Sequence, residues 1–177
     1  MALRPAKCYR KVHRAYTRVS RRKPRKSYVK GVPGSKIHQF EMGEKGKYDY
    51  VLYLVAKQSV QIRHNALEAA RMAVTQHITK RLGKGKSYFF KVRPYPHQVL
   101  RENPLATGAG ADRFQQGMRM SFGRPIGTAA IVKPDQKILE LHINNSGLAV
   151  AKKALKIAAH KLPTTTRIVI EETKTNK

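Results

Sequence analysis

The sequence is poor in cysteine, tryptophan and acidic residues. It contains one cysteine, Cys8, no tryptophan, and ten Asp or Glu residues among 177. A single cysteine excludes an intramolecular disulfide framework and a zinc site built from clustered cysteines, and it fits a reducing compartment. Carboxylates are adjacent only at Glu171 and Glu172, so the sequence offers little material for paired-carboxylate catalysis.

Long hydrophobic runs are also absent. The longest apolar stretches, such as residues 51–56, are far shorter than the roughly 18–20 residues that cross a bilayer. No apolar segment of the signal-peptide type follows the basic N-terminus. We therefore expect neither a transmembrane helix nor a secretory leader. An Arg-rich mitochondrial transit peptide stays open as an alternative reading of the N-terminal residues.

The sequence has an excess of positive charge. Thirty-seven Lys or Arg residues against ten acids give a formal net charge of +27 at pH 7. This charge in one domain is strongly self-repulsive unless a polyanion neutralises it, and about 2–8 net charges suffice for solubility. Apolar residues make up 41% of the chain, enough for one core. We predict a folded protein that binds nucleic acid, with an anionic membrane a distant second.

Residues 1–34 are predicted to be a basic RNA-binding extension. Thirteen Lys or Arg residues and no acid occur between Met1 and Phe40, and Pro and Gly interrupt any helix. Extended cations of this kind suit RNA phosphates, and the tyrosines among them suit stacking on bases. A solvated, disordered tail is the plainer alternative. The predicted phosphate ligands here are Arg4, Lys7, Arg10, Arg14, Arg18, Arg21, Arg22, Arg25 and Lys26.

Residues 35–172 are predicted to form an α+β domain with two helices on a mixed or antiparallel sheet, and residues 173–177 a frayed tail. Alternating or β-rich segments predict strands, and apolar residues at three- and four-residue steps predict helices. The predicted order is β-β-α-β-loop-β-β-α-β. The predicted strands are 37–42, 50–57, 87–93, 126–132, 137–143 and 166–171, and the predicted helices are 65–82 and 146–162.

Each predicted helix has an apolar stripe and a cationic remainder. In the first helix, Asn65 and Glu68 match a capping box, and Gly83 ends the helix. In the second, Ser146 is the predicted N-cap and Pro163 the stop. The predicted buried stripes are Leu67, Ala70, Val74 and Ile78, then Leu148, Ala151, Leu155, Ala158 and Leu162. In the first helix, Arg71, Lys80 and Arg81 are predicted to be available to solvent or phosphate. In the second, the cations predicted to lie outside the buried stripe are Lys152, Lys153, Lys156 and Lys161.

Residues 103–124 fit no element. The segment holds four glycines, with arginine, phenylalanine and methionine residues between them. A long irregular insertion in a compact domain is usually functional or disordered, and glycine with arginine suits close approach to RNA. We predict an RNA-contacting loop, with a mobile surface loop as the alternative. Further predicted RNA ligands, in this loop, in the GKGK turn and beside them, are Lys84, Lys86, Arg93, Arg119 and Arg124.

Enzyme signatures are weak. Gly108 and Gly110 lack the third glycine of a dinucleotide fingerprint, and the GKGK turn lacks the GxxxxGK[ST] spacing of a phosphate loop. The seven histidines are scattered, and none forms an HxxxH pair. We therefore predict no catalytic residue, no metal site and no cofactor. An RNA-modifying enzyme and a DNA-compacting protein stay open as alternative functions.

Five segments carry a family resemblance. They are RPAKCYR from Arg4, GVPGSKI from Gly31, ALEAAR from Ala66, VRPYPHQVLREN from Val92 and GAGADRFQQGMRMSFGRPIGTAA from Gly108. In this order they resemble the large-subunit ribosomal protein of the archaeal and eukaryotic ten-e type, whose bacterial counterpart is protein sixteen of the large subunit. The similarity runs nearly the whole chain. Because the long C-terminal extension of eukaryotic members is lacking, the chain looks archaeal.

The resemblance implies an α/β-hammerhead-like fold and a structural, non-enzymatic role in the large subunit of cytoplasmic ribosomes. It implies that a monomer binds large-subunit rRNA beside the peptidyl transferase centre, near neighbouring ribosomal proteins and the 5S rRNA side, with Mg²⁺ only as part of the RNA environment. It also implies that the long loop points to the tRNA acceptor arms and helps to position A-site and P-site tRNA. The matching loop residues are Arg101, Asn103, Leu105, Thr107, Gly108, Gly110, Asp112 and Arg113.

One position departs from the family pattern. Relatives tend to carry a basic residue where Ile131 stands, so no RNA contact is assigned there. The stretch RENPLATG, from Arg101, also differs from the more apolar stretch of eukaryotic members. The resemblance implies where the loop lies in the ribosome, but it does not assign individual tRNA contacts to the residues of this loop.

Overall fold

A computed structural model describes residues 4–12, 29, 31–83, 87–102 and 123–173. These residues form eight strands and two α-helices, with short 3-10 turns at Ala6–Cys8 and Asn145–Gly147. The helices are α1 (His64–Leu82) and α2 (Leu148–Ala159). The strands are β1 (Glu41–Gly43), β2 (Tyr50–Ala56), β3 (Val60–Arg63), β4 (Tyr88–Val92), β5 (Gln98–Glu102), β6 (Arg124–Val132), β7 (Lys137–Ile143) and β8 (Thr166–Glu172).

The strands form two antiparallel sheets. The first has five strands in the order β1-β4-β7-β2-β8, and the second has three in the order β3-β6-β5. Every strand pair within the described residues is antiparallel. Helix α2 contacts β2, β7 and β8, whereas α1 contacts β3, β6 and α2. The predicted α+β class, with two helices packed on antiparallel strands, is confirmed.

One hydrophobic core lies between the sheets and the helices. Strand β2 turns Leu52 and Leu54 towards this core, and both are fully buried. The predicted α1 stripe of Leu67, Ala70, Val74 and Ile78 is completely buried. Of the stripe predicted for the second helix, Ala151, Leu155 and Ala158 are completely buried and Leu162, beyond the end of α2, is nearly so, whereas Leu148 is only half-buried. Among the described residues, neither helix is long and apolar enough to cross a membrane.

Gly43 shows why this position of β1 requires glycine. Its φ is +84°, a left-handed conformation that side chains disfavour. A Cβ here would collide with the carbonyl oxygen of Tyr88. That oxygen accepts a hydrogen bond from the Glu44 N–H at 3.2 Å. The close approach therefore fixes β1 at the edge of the five-stranded sheet.

Two strands, β3 and β5, are absent from the sequence-based prediction, so the predicted element order is wrong by two strands. Both are short, with four and five residues. Strand β3 continues directly into α1, and β5 follows the prolines of the Pro94–Pro96 segment. No turn residue separates β3 from α1, and the four or five residues of each strand are too few for a clear alternating pattern. The first predicted strand, 37–42, is observed only as the three-residue strand β1, which begins at Glu41.

Gly83 is the C-cap of α1, as predicted, but both predicted N-caps are wrong. Helix α1 begins at His64 without a side-chain cap, because β3 remains paired with β6 as far as Arg63. Asn65 therefore lies inside the helix, and its buried Oδ1 atom has no hydrogen-bond partner. Helix α2 has Gly147 at its N-cap and ends at Ala159, four residues before Pro163. Ser146 lies within the preceding 3-10 turn.

Candidate nucleic-acid interface

Residues 4–12 pack on the three-stranded sheet. The backbone N–H of Gln61 donates to the carbonyl oxygen of Arg10 at 3.0 Å, and the Gln61 side-chain amide donates to the carbonyl oxygen of Lys11. Arg63 donates through Nη1 to the carbonyl oxygen of Arg4 at 2.8 Å. The Arg63 guanidinium also lies 5.5 Å from the centre of the Tyr9 ring. The start of the predicted basic extension is thus attached to the domain.

Glu102, at the end of β5, is a second attachment point for this segment. It forms an ion pair with Arg4 and accepts a hydrogen bond from the Tyr9 hydroxyl at 3.1 Å. Burial, followed by the hydrogen bond with Glu102, raises the pKa of Tyr9 above its usual value. The Arg4 side chain remains about half exposed, at 52%. Arg4 therefore stays accessible to RNA, but with part of its charge already neutralised.

The other described members of the predicted RNA-binding set fall into two environments. Arg101 and Arg124 lie near one another, because β5 and β6 pair Arg101 with Pro125 and Glu102 with Arg124. Arg93 lies elsewhere, and its Nη1 donates to Glu140 Oε2 at 2.8 Å. Lys7, Arg10 and Arg124 are exposed. Their contacts with RNA stay predictions.

Most of the predicted site lies outside the described residues. From the basic extension, this applies to Arg14, Arg18, Arg21, Arg22, Arg25 and Lys26. From the GKGK turn and the long loop, it applies to Lys84, Lys86, Asn103, Leu105, Thr107, Gly108, Gly110, Asp112, Arg113 and Arg119. Ile131 is described: it is half-buried and pairs with Gln61 on the sheet face that carries residues 4–12.

The five-stranded sheet has one face turned away from the core, here called the open sheet face. Residues paired across antiparallel strands share a face, so the strand register identifies its members. Its centre is apolar and aromatic, and charged side chains surround that centre. The members are Glu41, Val51, Tyr53, Val55, Phe89, Lys91, Lys137, Glu140, His142, Arg167, Val169 and Glu171.

Carboxylates neutralise the cations of the open sheet face. Glu41 binds the Nζ atoms of Lys45 and Lys91, each at 2.7 Å. These hydrogen bonds lower the pKa of Glu41 to about 2. Lys137 forms an ion pair with Glu171 at 3.2 Å, and its ammonium lies 3.4 Å from the centre of the Tyr53 ring.

The same pattern continues around the face. Arg167 donates to Asp135 at 2.8 Å. Glu140 accepts from Arg93 and contacts His142 Nε2, both at 2.8 Å. Six of the eight ion pairs found among the described residues involve this face or its border. A polyanion would therefore meet a surface whose positive charges are already matched.

The two helices present the opposite arrangement. Six exposed cations make no ion pair with any described carboxylate, and we call them the helix surface: Lys80, Arg81, Lys152, Lys153, Lys156 and Lys161. The imidazole of His77 is sensitive to the positive charge of these cations. Its pKa is lowered first by burial and second by the nearby charges of Arg81 and Lys153. Arg81 belongs to α1 and Lys153 to α2, so the packed helices bring their cations together.

Arg71 does not belong to the helix surface, contrary to the prediction that it is available. It is only 9% exposed. Its guanidinium donates to both carboxylate oxygens of Glu68, at 2.8 and 2.6 Å, and to Gln39 Oε1 at 3.4 Å. The three-residue step from Glu68 to Arg71 places both side chains on one side of the helix. Glu68 therefore holds Arg71 instead of capping α1.

The histidines do not form a metal centre in the described ranges. No group of three or more His, Cys, Asp or Glu side chains there could hold a metal ion. His64 Nδ1 instead accepts the backbone N–H of Lys36 at 2.9 Å. Burial, then the charges of Lys36 and Arg63, lowers its pKa. The imidazole therefore serves as a neutral hydrogen-bond acceptor that fixes the chain where the basic extension joins the domain.

Comparison with known proteins places this geometry in a family. The family model described as ribosomal protein L16p/L10e matches residues 16–169. The chain belongs to this family. It is 45% identical over 173 residues to the large ribosomal subunit protein uL16 of Archaeoglobus fulgidus, covering 97% of this chain and 95% of that protein. The uL16 proteins of Hyperthermus butylicus and Metallosphaera sedula are 48% and 47% identical, over 95% and 100% of this chain and 93% and 99% of their own lengths.

Family membership confirms the resemblance found in the sequence. The chain is a ribosomal protein of the archaeal type, and its family is a structural one rather than a family of enzymes. The expected localisation to the ribosome, as a protein of the large subunit, is confirmed with it. The relatives are named as proteins of the large ribosomal subunit.

Sequence reasoning missed the anchoring role of Glu102 and Tyr9, and it left the helix surface out of the predicted RNA ligands. A signal for the helix surface exists: no acid occurs between Glu68 and Glu102, or between Glu140 and Glu171. These two stretches contain all six of its cations. Since an ion pair within a helix needs a carboxylate three or four residues away, most of these cations have no local partner.

Proposed function

We propose that the protein binds large-subunit rRNA beside the peptidyl transferase centre and helps to position A-site and P-site tRNA. It acts as a structural constituent of the large ribosomal subunit. The segregation of charge carries the RNA-binding part of this proposal. The cations of the helix surface make no ion pair with any described carboxylate, whereas those of the open sheet face are neutralised by its own carboxylates. RNA therefore approaches the helices and the basic extension, not the open sheet face.

Phosphate neutralisation provides the affinity. Each Lys or Arg that binds a phosphate releases condensed counterions, so binding weakens as salt rises. Six to ten such contacts correspond to a loss of about 10³–10⁵ in affinity between 50 and 200 mM salt. Contacts of this type position the protein on the RNA, whereas few contacts read bases. Mg²⁺ enters only with the RNA, and neighbouring ribosomal proteins and 5S rRNA complete the proposed surroundings of the monomer.

The experiment compares two triple variants that remove the same charge. One replaces Lys152, Lys153 and Lys156 of the helix surface with Ser. Its matched control replaces Lys45, Lys91 and Lys137, which are ion-paired at the open sheet face. Affinity for deproteinised large-subunit rRNA is measured for both as a function of salt concentration.

The helix-surface variant is expected to bind more weakly and to flatten the salt slope by about 2–3, since each lost phosphate contact removes about 0.7–0.9. The control is expected to keep the wild-type slope. Equal losses in both variants would show that net charge alone, and not the helix surface, governs binding. A larger loss in the control would place the RNA on the open sheet face.

The tRNA part of the proposal concerns the long loop, which lies outside the described residues. Its glycine and arginine content, and its position in the family, support it. Deletion of Leu105 to Ala111 is expected to leave assembly into the large subunit intact and to slow tRNA accommodation. Accommodation is followed by rapid kinetics on reconstituted ribosomes. Unchanged kinetics with normal assembly would reject the tRNA role while leaving rRNA binding untouched.

A further inference from the structure

A cavity of about 250 Å³ lies where the basic extension joins the domain. Pro33 lines it from the end of the extension and Ser35 from the start of the domain. Pro96 and His97 line it from the β4–β5 connection, and Val99 from β5. Its volume is below the roughly 300–1,000 Å³ of pockets for drug-sized ligands. It therefore suits a small planar group rather than a larger molecule. None of its lining residues is acidic.

One wall of the cavity is aromatic. The Tyr95 side chain is 49% exposed, which is unusual for a ring that lines a cavity. Phe40 supports it from behind, with ring centres 5.5 Å apart. His97 Nδ1 lies 3.1 Å from the carbonyl oxygen of Tyr95. A proton on Nδ1 satisfies that contact and leaves Nε2 as an acceptor. The pocket therefore combines an aromatic surface for stacking, the Tyr95 ring packed on Phe40, with the polar edge of the His97 imidazole.

Two residues with hydroxyl side chains, Thr128 and Ser35, line this pocket. Thr128 of β6 is only 8% exposed, and its buried Oγ1 atom has no hydrogen-bond partner among the described residues. Buried polar groups in proteins are nearly always paired, so this one needs an explanation. Ser35 Oγ accepts the Ile37 N–H at 3.3 Å, which leaves the Ser35 hydroxyl proton available for donation.

We propose that this pocket receives one unstacked base of the RNA. Aromatic stacking combined with hydrogen bonds to base edges is how proteins recognise single-stranded nucleotides. The pocket offers both, and the adjoining extension supplies cations for the flanking phosphates. The proposal rests on the proposed rRNA binding and adds to it one specific nucleotide. Phosphate contacts hold the protein on the RNA, and the base in the pocket fixes its position along the strand.

The test uses large subunits reconstituted with the full chain, and it probes base and backbone separately. Dimethyl sulfate and carbodiimide report exposed base edges, and hydroxyl radicals report the backbone. The variants are Tyr95→Ala and the near-isosteric Thr128→Val. The matched control is Met72→Ala, which removes a large side chain that is 40% exposed on α1, away from the pocket.

In the wild type and the control, one base is expected to be protected beside the backbone footprint. In Tyr95→Ala its reactivity rises to that of deproteinised RNA, and in Thr128→Val it rises in part. Binding of Tyr95→Ala to rRNA weakens about 5- to 100-fold, the range for losing one base–aromatic stack. The backbone footprint persists in every variant.

Two failures are distinguishable. A persistent backbone footprint without any base whose reactivity depends on Tyr95 and Thr128 would overturn the pocket proposal and leave rRNA binding intact. That result would also be obtained if another segment of this chain filled the pocket. Absence of the backbone footprint in the wild type would instead overturn the proposed function itself.

Discussion

The open sheet face and the helix surface are both rich in lysine, yet they differ in almost every physical respect. On the open sheet face, Glu41 alone binds two lysines, and its pKa falls to about 2. On the helix surface, the cations form no ion pair with any carboxylate of the described residues, and the pKa of His77 is lowered in part by Arg81 and Lys153. The comparison shows that the net charge of +27 does not act uniformly. The positions of the few acids decide which surface attracts a polyanion.

The ion pairs of the open sheet face neutralise its cations but contribute little to the stability of the fold. Exposed pairs contribute about 0–1 kcal/mol to folding, and Arg167–Asp135 has side chains that are 54% and 72% exposed. The Lys137 ammonium lies over the ring of Tyr53, and Val169 packs against the same cluster. Val51, Tyr53 and Val55 are at most 9% exposed although no helix lies on them within the described residues. The face is therefore closed by its own side chains.

The largest expected effect comes from the basic extension. Replacement of Arg18, Arg21, Arg22, Arg25 and Lys26 with Ser is expected to flatten the salt slope of rRNA binding by roughly 3.5–4.5 if each contacts one phosphate. The control removes five cations from the open sheet face and the loop before β2, namely Lys45, Lys47, Lys91, Lys137 and Arg167. Filter binding at several salt concentrations measures both slopes. An unaltered slope in the extension variant would show that the extension does not bind phosphates.

A second experiment compares the two faces of β2. Leu52→Ala, on the core side, is expected to lower the free energy of unfolding by about 2–5 kcal/mol, because it leaves a cavity in a fully buried site. Val51→Ala, on the open sheet face, is expected to cost less, since charged stems can relax into the space. Urea denaturation followed by circular dichroism measures both. A larger loss for Val51 would mean that the open sheet face is packed like the core.

A smaller effect is expected in the pKa of His77, which is sensitive to the charges of the helix surface. Arg81→Ser or Lys153→Ser removes a repelling charge, so the pKa of His77 is expected to rise towards 6.5, its ordinary value. Because the folded-state pKa is depressed, the neutral ring favours folding above the unfolded pKa, and this contribution is lost as pH falls through the folded pKa. NMR titration measures the shift. The paired Lys137→Ser serves as control and should leave His77 unchanged.

The smallest effect is expected at Glu41, the reporter of the open sheet face. Lys91→Ala removes one of two hydrogen bonds to the carboxylate, so the pKa of Glu41 is expected to rise from about 2 towards 4.5. The depressed pKa means that any contribution to folding is present above pH 4.5 and is lost as pH falls through about 2. Carboxyl NMR chemical shifts follow the titration. An unchanged value would show that Lys45 alone holds the carboxylate.

The helices were the most predictable part of the fold. Apolar spacing identified the buried stripe of α1 residue by residue, because the helical period alone decides which side chains share a face. Gly83 was predicted correctly as the end of α1. The N-caps were not predictable, since Asn65 and Ser146 act as caps only if the helix starts next to them. Pairing of β3 with β6 moved the start of α1 to His64. The prediction that Arg71 is exposed was wrong for a similar reason. The side chains of Gln39 and Met42, which contact its guanidinium, are distant in sequence.

The basic character of the candidate interface was predictable, but the surroundings of its individual cations were not. Composition and family resemblance indicated a basic RNA-binding protein, and Lys7, Arg10 and Arg124 are exposed as expected. Arg4 and Arg93 turned out to form ion pairs with Glu102 and Glu140. Those carboxylates lie 98 and 47 positions away along the chain. No local pattern reveals such partners, since only tertiary packing brings them together.

The sequence by itself determined the chemistry of this protein: the excess of cations, the two amphipathic helices and the motifs of its ribosomal family. These properties depend on composition and on local spacing. Tertiary structure decided which cations are neutralised and which remain available, because ion pairs between strands and cations gathered from two helices depend on long-range pairing and packing. It also formed the pocket beside Tyr95 and Thr128, which three separate segments build together.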